Sequence, residues 1–488
     1  MTEDRLDYEI TTPNEKIPQR KPDIIKGISV VGLGKLGLCI ATCLAHKGYQ
    51  VHGVDIDAEK VHLINSGIPP AFEPGLTEML EGCKNRLTAT NNYDVALRDS
   101  TLTFIVVNTP SNPDGSYSTE QLISASKEIG RALRNQDSFH IVVVTSTVLP
   151  GTIDTIVKPI LEKESNKTCG LDFGLCYNPE FIALGSVIHN FLNPDFVLIG
   201  ESDNRSGELL SMIYRKISEN NPPIARMNPI NAELTKIALN SYVTIKISFA
   251  NTLAEICEHL PGGNVDVVSS ALGMDRRIGP NYLKGGLGFG GPCFPRDNNA
   301  FSFFARQLGC RAILAEAADK VNEQQVGRIV RIIEETLDPK SEVAVLGLTY
   351  KPNTNIVEAS QALEIAQTIA EKGYPVTVYD PLGIPNAKEL LGSKVKYADS
   401  AEDCLKNAQA CIITTPWSKF KKLELQNPPK GPSIIIDCWR ILKREQIGSK
   451  AEYIEIGLTS KYNKQFNVLT MDRLIDNQDS RMITLEKS

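Results

Sequence analysis

The amino-acid sequence predicts an α/β protein in which two doubly wound domains are joined by a central helical domain with a long helix. Short apolar strands alternate with helical stretches from Gly27 to about residue 220, and the alternation restarts near residue 342. Between these regions lies a stretch of nearly thirty residues that contains neither proline nor glycine. Strands that alternate with helices are the signature of parallel βαβ units.

In the first α/β region, short apolar or β-branched runs predict strands at residues 28–31, 51–54, 102–107, 141–145 and 196–199. The pattern breaks at Asn221-Pro222-Pro223, which predicts a linker. In the second region we expect strands at residues 342–346, 376–379, 410–414 and 433–436. We therefore place a polar tail at 1–26, domains at 27–222, 223–338 and 339–470, and a second polar tail at 471–488.

Residues 231–260 have apolar positions at helical spacing and end at Pro261-Gly262-Gly263, so we expect one long helix there. A helix of this length reaches about 45 Å. It is long enough to join two domains and to present an apolar face to a partner. We therefore expect a homodimer that is built on this helix.

Composition excludes several classes of protein. The chain has 488 residues, of which 42% are hydrophobic and 23% charged, as in soluble proteins with a full core. The net charge of -6 argues against a nucleic-acid partner. The 11 cysteines include no CxxC pair, so we expect no metal site and reduced thiols in the cytoplasm. Residues 1–26 lack the apolar run of a signal peptide, and no stretch of about 18 apolar residues predicts a membrane span, so we expect neither.

A glycine-rich turn, Gly32-Leu33-Gly34-Lys35-Leu36-Gly37, follows the first strand and opens a helix. In this context the GxGxxG spacing predicts a Rossmann-like dinucleotide site, with the pyrophosphate at the helix N-terminus. Asp55 ends the next strand, where its carboxylate can bond the ribose hydroxyls and would repel a 2′-phosphate. The pattern therefore favours NAD over NADP and over a tight turn without a ligand.

A second glycine-rich loop ends in a thiol. Residues 285–297 read Gly-Gly-Leu-Gly-Phe-Gly-Gly-Pro-Cys-Phe-Pro-Arg-Asp. Because so many glycines cost backbone entropy on folding, we expect the loop to lie against a ligand. Cys293 precedes a helical pattern that begins near Asp297, and a thiol at a helix N-terminus is often a nucleophile. A buried structural cysteine is the alternative, which we favour for the other cysteines.

On the long helix, Glu233, Lys236 and Asn240 share one face. Charged residues at this spacing are usually a solvated surface, and the spacing alone favours that interpretation.

Taken together, the motifs resemble those of the UDP-glucose/GDP-mannose dehydrogenase family from about Gly27 to Leu469. The matching segments are residues 32–37, Val54-Asp55 with Lys60, Glu73-Pro74-Gly75-Leu76, Asn108-Thr109-Pro110, Ser146-Thr147-Val148, Asn178-Pro179-Glu180-Phe181, Glu233 with Lys236 and Asn240, Arg277-Ile278-Gly279, residues 285–297, Gly347-Leu348-Thr349-Tyr350-Lys351-Pro352 and Tyr379-Asp380-Pro381. A chance match to this combination is hard to credit.

The resemblance implies an NAD-dependent, four-electron oxidation of a nucleotide sugar at C6 to the uronate, through a thiohemiacetal and a thioester on Cys293. It implies that Lys236 and Asn240 stabilise the oxygen anions, and this reverses the surface interpretation of their helix face. It further implies that Asp297 and Thr147 position water and that Glu180 transfers a proton. The cofactor residues it implies are Gly32, Gly34, Leu36, Gly37, Asp55, Lys60, Thr109 and Thr147.

For the nucleotide sugar, the resemblance implies binding by Glu180, Lys236, Asn240, Arg277, Phe289, Gly290, Lys351 and Arg440. Lys351 and the loop backbone would lie near the diphosphate, and Arg440 would be a further phosphate ligand. Arg277 would reach the partner's substrate site across a dimer.

The chain departs from the family pattern at three places. Leu184 stands where glucose-type members carry a glutamate, so it cannot move a proton. Arg296 replaces a lysine before Asp297 and keeps the charge but not the geometry. Glu358 replaces an arginine thought to hold NAD, in a segment that reads Thr-Asn-Ile-Val-Glu-Ala-Ser-Gln over residues 354–361.

In the resemblance, the Cys-Phe-Pro-x-Asp form of the thiol loop is closer to the UDP-glucose and GDP-mannose branches of the family, and we expect a UDP-hexose as substrate, with GDP-mannose as an alternative. The N-acetylhexosamine branches more often have a histidine where this chain has Pro292, so they are a less favoured alternative. Leu184 and Glu358 motivate a further alternative, a non-catalytic nucleotide-sugar binder. A two-electron hydroxyacid dehydrogenase shares the first domain and the long helix, but the thiol loop and the second α/β domain oppose it.

Overall fold

A computed structural model describes residues 9–11, 25, 27–182, 185–425, 431–449 and 451–459. These residues form two compact units. The first contains the described residues up to Leu239 together with Asn299–Cys310, and the second contains Asn240–Asn298 and the described residues from Arg311 onward. Of the two predicted polar tails, only residues 9–11 and 25 are described.

The described residues form two sheets and fifteen α-helices. The strands are β1 (Glu9–Thr11), β2 (Ile28–Val31), β3 (Val51–Val54), β4 (Leu87–Thr90), β5 (Leu102–Ile105), β6 (His140–Val144), β7 (Phe173–Tyr177), β8 (Val197–Glu201), β9 (Ile224–Met227), β10 (Val343–Leu346), β11 (Val376–Tyr379), β12 (Lys396–Tyr397), β13 (Ala410–Ile413), β14 (Ile434–Asp437) and β15 (Glu452–Glu455).

The α-helices are α1 (Lys35–His46), α2 (Ala58–Asn65), α3 (Leu76–Cys83), α4 (Tyr93–Arg98), α5 (Glu120–Arg134), α6 (Lys158–Ser165), α7 (Val187–Leu192), α8 (Asn204–Ile217), α9 (Pro229–His259), α10 (Val265–Met274), α11 (Phe294–Gln307), α12 (Ile313–Thr336), α13 (Gln361–Glu371), α14 (Ile384–Leu391) and α15 (Ala401–Leu405). A π-helical turn, Ile153–Val157, precedes α6, and 3₁₀ turns lie at Phe420–Lys422 and Arg444–Gln446.

The first unit is built on a nine-stranded sheet of order β1-β9-β8-β7-β6-β5-β2-β3-β4. Strands β2 to β7 run parallel, whereas β8 is antiparallel to β7. The chain order reverses between β2 and β5, and such a switch point is where open α/β sheets bind ligands. Apolar clusters cover both faces of the sheet, one including Ile28 and Leu38, the other Val31 and Ile129.

The second unit contains a parallel six-stranded sheet of order β12-β11-β10-β13-β14-β15. Its switch point lies between β10 and β13, and both faces are again packed against apolar side chains. The predicted fold class, two doubly wound α/β regions with helices between them, is confirmed.

The long helix α9 runs from Pro229 to His259, within two residues of the prediction. Its residues up to Leu239 belong to the first unit and those from Asn240 to the second. The described residues thus divide within this helix, and the three-part division of the chain remains a prediction. None of the described helices is long and apolar enough to cross a membrane.

The predicted linker at Asn221-Pro222-Pro223 is instead a turn inside the first unit. Asn221 adopts a φ of 48°, and the Pro223 carbonyl accepts a hydrogen bond of 2.9 Å from the Val197 amide. The prolines break the helical pattern after α8, but β9 follows at once and pairs with β8. The N-terminal strand β1, which we did not predict, pairs with β9 in turn.

Candidate active site

The glycine-rich turn after β2 leaves open space at the N-terminus of α1. Gly32 has a φ of +90°, and a Cβ atom there would lie 2.5 Å from the Val106 carbonyl oxygen. A Cβ on Gly37 would overlap the Gly32 carbonyl, whereas a Cβ on Gly34 would meet no atom within 4 Å. Close packing therefore requires glycine at positions 32 and 37. At position 34, glycine leaves the N-terminus of the helix accessible to a phosphate.

Asp55 lies at the carboxyl end of β3, and its carboxylate is held in place from three sides. It accepts hydrogen bonds from the Leu33 amide (2.8 Å) and the Asp57 amide (3.0 Å), and Lys60 Nζ lies 3.2 Å away. This is where a dinucleotide fold binds the ribose hydroxyls. The open phosphate cradle and the carboxylate at this position both fit NAD.

Loops after β5 and β6 are tied together beside the switch point. The Thr109 hydroxyl donates to the Thr147 carbonyl (2.7 Å), and the Ser146 hydroxyl donates to the Val107 carbonyl (2.6 Å). Leu36 is partly buried and packs against the apolar core. The structure thus brings Thr109 and Thr147 together, and it gives Leu36 a packing role.

Glu73 links the glycine-rich turn to the segment that follows Glu180. Its buried carboxylate accepts hydrogen bonds from the amides of Gly185 (3.1 Å) and Val187 (2.8 Å) and lies 3.2 Å from Lys35 Nζ. A single buried side chain therefore fixes two segments whose residues are implied in cofactor and substrate binding.

Glu180 follows β7 and lies between two polar partners. The Tyr214 hydroxyl is 2.8 Å from Glu180 Oε1, and Lys236 Nζ donates to the Glu180 carbonyl oxygen at 2.7 Å. Burial raises the pKa of Glu180 to about 7, although the hydrogen bond with Tyr214 and the charge of Lys236 lower it. A carboxyl group with a pKa near neutrality is suited to general acid–base catalysis.

The helix face with Glu233, Lys236 and Asn240 is buried, so the interpretation of these residues as a solvated surface is wrong. Glu233 is fully buried, and Lys236 and Asn240 are each 7% exposed. Glu233 accepts hydrogen bonds from the amides of Gly151 (2.7 Å) and Ile153 (2.8 Å). Burial raises the pKa of Glu233 to about 7, against the effect of these bonds. Its contacts assign Glu233 to holding the loop after β6.

In the second unit, Cys293 immediately precedes α11. Its carbonyl accepts the first hydrogen bond of the helix, from the Asp297 amide (2.8 Å), and its side chain is exposed. The Asp297 carboxylate is 1% exposed and binds Asn240 Nδ2 (2.6 Å) and Arg296 Nε (3.2 Å). The structure therefore joins Asn240 to Asp297 one helical turn after Cys293.

The thiol loop is held by three side-chain amides. Asn251 accepts from the Gly286 amide (2.9 Å), Gln361 accepts from the Gly288 amide (2.6 Å), and Asn322 accepts from the Phe289 amide (2.7 Å). Asn322 Nδ2 also donates to the Phe289 carbonyl (2.9 Å), and Gln361 Nε2 donates to the Asn322 carbonyl (2.8 Å). We call these three residues the amide clamp. No motif in the sequence signalled them.

Close packing explains the glycines at the end of the thiol loop. A Cβ on Gly291, whose φ is +81°, would lie 2.6 Å from the Tyr350 ring, and one on Gly290 would overlap the Ala359 carbonyl. The Gly291 amide donates to the Glu358 carbonyl at 3.1 Å, while the Glu358 side chain is exposed. This departure from the family pattern therefore contacts the loop through its backbone.

The Arg440 side chain forms hydrogen bonds within the second unit instead of pointing to a site where a phosphate could bind. Its side chain is 4% exposed, and its Nε and Nη2 atoms bind the Asp266 carboxylate at 2.7 and 2.8 Å. It also donates to the carbonyls of Gly285 (2.8 Å) and Ile456. A buried guanidinium with these contacts is committed to the start of the thiol loop, so the geometry opposes the expected phosphate contact.

The remaining predicted substrate residues lie in different surroundings. Phe289 is buried, Gly290 and Lys351 are half-buried, and Lys351 Nζ lies 5.7 Å from the centroid of the Tyr350 ring. Arg277 is highly exposed and pairs with Asp275 at 2.6 Å. Leu184 lies outside the described residues. The described residues contain no group of histidine, cysteine and acidic side chains arranged to hold a metal ion.

Comparison with known proteins gives consistent matches. Models of the UDP-glucose/GDP-mannose dehydrogenase family match the chain at residues 26–218 (NAD binding domain), 230–324 (central domain) and 344–444 (UDP binding domain). The UDP-glucose 6-dehydrogenase AglM of Haloferax volcanii is 37% identical over 423 residues, which are 86% of this chain and 98% of the relative.

Two further matches differ in the substrate that their names give. A GDP-mannose 6-dehydrogenase of Pseudomonas putida is 35% identical over 422 residues, 84% of this chain and 95% of the relative. The structure of a UDP-glucose dehydrogenase from Pyrobaculum islandicum has a TM-score of 0.82 and 33% identity and covers 91% of this chain and 100% of that chain.

Proposed function

Because this chain belongs to the UDP-glucose/GDP-mannose dehydrogenase family, we propose that it oxidises the C6 alcohol of a UDP-hexose to a carboxylate through a thioester on Cys293. The family resemblance inferred from the motifs is confirmed, and the chain is an NAD-dependent enzyme. The observation that carries the proposal is the exposed Cys293 at the start of α11, one turn before the buried Asp297.

NAD, when bound, accepts two electrons and one hydrogen in each of two successive oxidations of the sugar carbon. The first oxidation turns the alcohol into an aldehyde. The Cys293 sulfur then adds to the aldehyde carbon, and the oxygen takes up a proton, which gives a thiohemiacetal. The second oxidation leaves a thioester, and water adds to it to release the carboxylate and the thiol.

Lys236 and Asn240 stabilise the oxygen anions in this proposal. They lie four residues apart on α9 and so share one face of that helix. Both are buried donors whose positions are fixed, Lys236 by the Glu180 carbonyl and Asn240 by Asp297. Donors that are already oriented stabilise a developing negative charge without the cost of reorganisation.

Asp297, Thr147 and Glu180 handle protons and water. Asp297 accepts hydrogen bonds from Asn240 and Arg296, and this contact with Arg296 gives the family departure a defined role. Glu180, whose pKa burial raises to about 7, exchanges a proton near neutral pH. Glu180 can therefore take on the proton transfer that Leu184 cannot perform.

We propose that the nucleotide sugar is held by the backbone of the thiol loop, by Phe289 and Gly290, and by Lys351 near the diphosphate. Arg277 is exposed on the second unit, which suits a contact with a partner's substrate. Arg440 instead holds the Gly285 carbonyl and so positions the loop.

A homodimer through α9 also belongs to this proposal. Tyr242, Phe249 and Ile256 recur every seven residues on the helix and are 62%, 51% and 50% exposed, and Leu260 follows at 51%. An apolar stripe with a seven-residue period is the pattern by which helices pair with one another. A second copy of α9 offers the same stripe and therefore fits it.

The proposal is tested by counting the NADH formed per sugar consumed with a panel of UDP- and GDP-hexoses. We expect two NADH per UDP-hexose. One NADH per sugar would indicate the hydroxyacid type of reaction, and none with any sugar would indicate a non-catalytic binder. A clear preference for GDP-mannose would overturn the choice of nucleotide.

Replacing the Cys293 thiol tests whether the reaction proceeds through a thioester. In Cys293→Ser we expect steady-state uronate formation to fall by ~1,000-fold or more, because the covalent intermediates are lost, while NAD binding is retained. Cys310→Ser is the matched control, since Cys310 is also exposed, and it should keep full activity. Full activity in Cys293→Ser would exclude the thioester.

A further inference from the structure

A buried hydrogen-bond chain joins Asn178, Tyr214 and Glu180 in the first unit. The Tyr214 hydroxyl lies 2.6 Å from Asn178 Oδ1 and 2.8 Å from Glu180 Oε1. Asn178 Nδ2 donates to the Leu198 carbonyl at 2.8 Å, and Asn178 and Tyr214 are 1% and 2% exposed. Because the Leu198 carbonyl can only accept, the Asn178 amide is oriented with its oxygen toward Tyr214.

The tyrosine hydroxyl has one proton for two neighbouring acceptors. An amide oxygen cannot donate, so the contact with Asn178 requires the proton of Tyr214. The contact with Glu180 is then a hydrogen bond only if the carboxyl group is protonated and donates to the tyrosine oxygen.

We propose that Tyr214 is a positioning residue that, aligned by Asn178, holds a proton on the Glu180 carboxyl group. When Glu180 is protonated, both hydrogen bonds of the chain are made. When it is ionised, it attracts the Tyr214 proton, and the buried Asn178 oxygen loses its donor, which is unfavourable. Asn178 therefore opposes the ionisation of Glu180 through Tyr214.

Two other groups act on Glu180. Lys236 on α9, whose ammonium binds the Glu180 carbonyl, favours the ionised form. Cys43 on α1 is buried, and burial is the main reason that its pKa is raised, so it remains an uncharged thiol. Burial of Glu180 opposes the effect of Lys236 and is the larger influence, so the pKa of Glu180 is raised to about 7.

The experiment is an infrared titration of the Glu180 carboxyl group in the full-length protein without substrate, with the Glu180→Gln spectrum subtracted. In the wild type we expect a protonated carboxyl signal that is lost with a midpoint near neutrality. In Asn178→Leu, which keeps the side-chain shape, the Tyr214 proton is free to serve ionised Glu180. The midpoint should therefore fall by about one pH unit.

A double-mutant cycle tests whether Asn178 acts on Glu180 through Tyr214. In a Tyr214→Phe background, replacing Asn178 should leave the midpoint unchanged, because no hydroxyl proton remains to be shared. Tyr93→Phe is the matched tyrosine control and should titrate like the wild type. Asn178→Ala gives a second variant if the leucine side chain does not fit and Asn178→Leu unfolds. The same shift with and without Tyr214, or no shift in either Asn178 variant, would overturn the inference.

The inference rests on the proposed function only in giving Glu180 a part in the reaction. The titration needs no turnover. A protein that forms no NADH but shows the expected double-mutant cycle would therefore refute the proposed function and support the role of the hydrogen-bond chain. Conversely, if two NADH are formed per sugar but the Glu180 midpoint does not move in Asn178→Leu, the proposed function is supported and the role of Tyr214 is refuted. If the proposed function and the hydrogen-bond chain both hold, the pH profile of kcat has a limb that Glu180→Gln abolishes. The midpoint of that limb should also move by about one pH unit in Asn178→Leu.

Discussion

His140 lies on β6, 1% exposed, within a hydrogen-bond chain that crosses three neighbouring strands. Its Nδ1 is 3.1 Å from the Ser100 carbonyl oxygen, which can only accept, so Nδ1 carries the ring proton. Nε2 accepts from the Thr103 hydroxyl (2.7 Å), which lies 2.6 Å from the Ser29 hydroxyl. This arrangement requires a neutral ring, and burial lowers the pKa of His140 to about 4.

This residue makes the protein sensitive to acid. Above the usual histidine pKa of 6.5 the ring is neutral in both the folded and the unfolded chain. As the pH falls from 6.5 toward 4, only the unfolded chain takes up the proton, so the folded state loses stability. We expect the free energy of unfolding to fall by about 2 kcal/mol from this residue between about pH 7.5 and about pH 5, measured by urea denaturation.

The control for this prediction is the pH dependence in two variants. His140→Gln removes the titrating ring from the buried site, so the loss of stability on acidification should be smaller than in the wild type. His62→Gln, at an exposed position on α2, should retain the wild-type dependence. An equal loss of stability in His140→Gln and the wild type would contradict a neutral buried His140.

Single residues also show where sequence patterns mislead. The spacing of Glu233, Lys236 and Asn240 indicated correctly that they share a helix face, but it favoured solvent exposure. Their partners are the amides of Gly151 and Ile153, the Glu180 carbonyl and the Asp297 carboxylate, which lie 56 to 82 residues away in the chain. Periodicity reports which residues share a face, whereas contacts between distant segments decide whether that face is buried.

At the level of elements, apolar β-branched runs predicted central strands accurately. The bounds of β2, β3 and β11 are those expected from the sequence. Two of the strands that we missed are interrupted by polar side chains: β4, at the sheet edge, exposes Thr88, and β9 contains Arg226, whose charge is paired with Glu201 at 2.7 Å. Without a continuous apolar run, neither segment gave the signal by which the other strands were predicted.

The thiol loop was predictable as an element, but its support was not. The glycines and Cys293 are adjacent in sequence and indicate a loop that lies against a ligand. The amide clamp comes from residues 35, 33 and 73 positions away from the loop amides they bind. Asparagine and glutamine are common on helices, so their presence on α9, α12 and α13 gave no signal until the fold brought them together.

The amide clamp leads to a prediction about Gly288. A Cβ atom there would overlap both Asn322 Oδ1 and Gln361 Nε2. In Gly288→Ala the side chains of Asn322 and Gln361 must move away, so their hydrogen bonds to the loop are lost. Cys293 then loses the support of the loop that precedes it. We expect kcat/KM for the nucleotide sugar to fall ~10-fold or more and the free energy of unfolding to fall by ~1–3 kcal/mol. Steady-state kinetics and urea denaturation measure the two effects.

Gly327→Ala is the matched control for this substitution. Gly327 lies on α12 in the same unit, and a Cβ atom there would meet nothing within 4 Å. Alanine inside a helix is favoured over glycine by about 1 kcal/mol, so this variant should be as stable as the wild type or more so, with unchanged kinetics. Wild-type kinetics in Gly288→Ala would show that the clamp does not position the loop.

At the level of the molecule, one helix, α9, carries both Lys236 and Asn240. Its first residues belong to the first unit and carry Lys236, while its later residues belong to the second and carry Asn240. The next turns of the helix expose the apolar stripe of Tyr242, Phe249 and Ile256. One helix therefore carries two proposed catalytic residues and the proposed dimer contact.

The dimer is tested by placing a charge in the middle of the stripe. In Phe249→Glu the two-fold symmetry of a homodimer would bury the carboxylate twice, and burying an unpaired charge is costly. We expect the dimer dissociation constant to rise at least ~100-fold, so that the variant is a monomer at micromolar concentration. Sedimentation equilibrium measures the change directly.

The control must separate loss of a specific contact from loss of any exposed apolar side chain. Leu171→Glu supplies it, since Leu171 lies in the first unit and is 77% exposed, more than Phe249. If α9 forms the dimer, Leu171→Glu remains dimeric while Phe249→Glu does not. A wild-type protein that sediments as a monomer, or a Phe249→Glu variant that dimerises as tightly as the wild type, would remove α9 from the interface. Activity that survives in the Phe249→Glu monomer would in turn show that Arg277 of a partner is not needed for turnover.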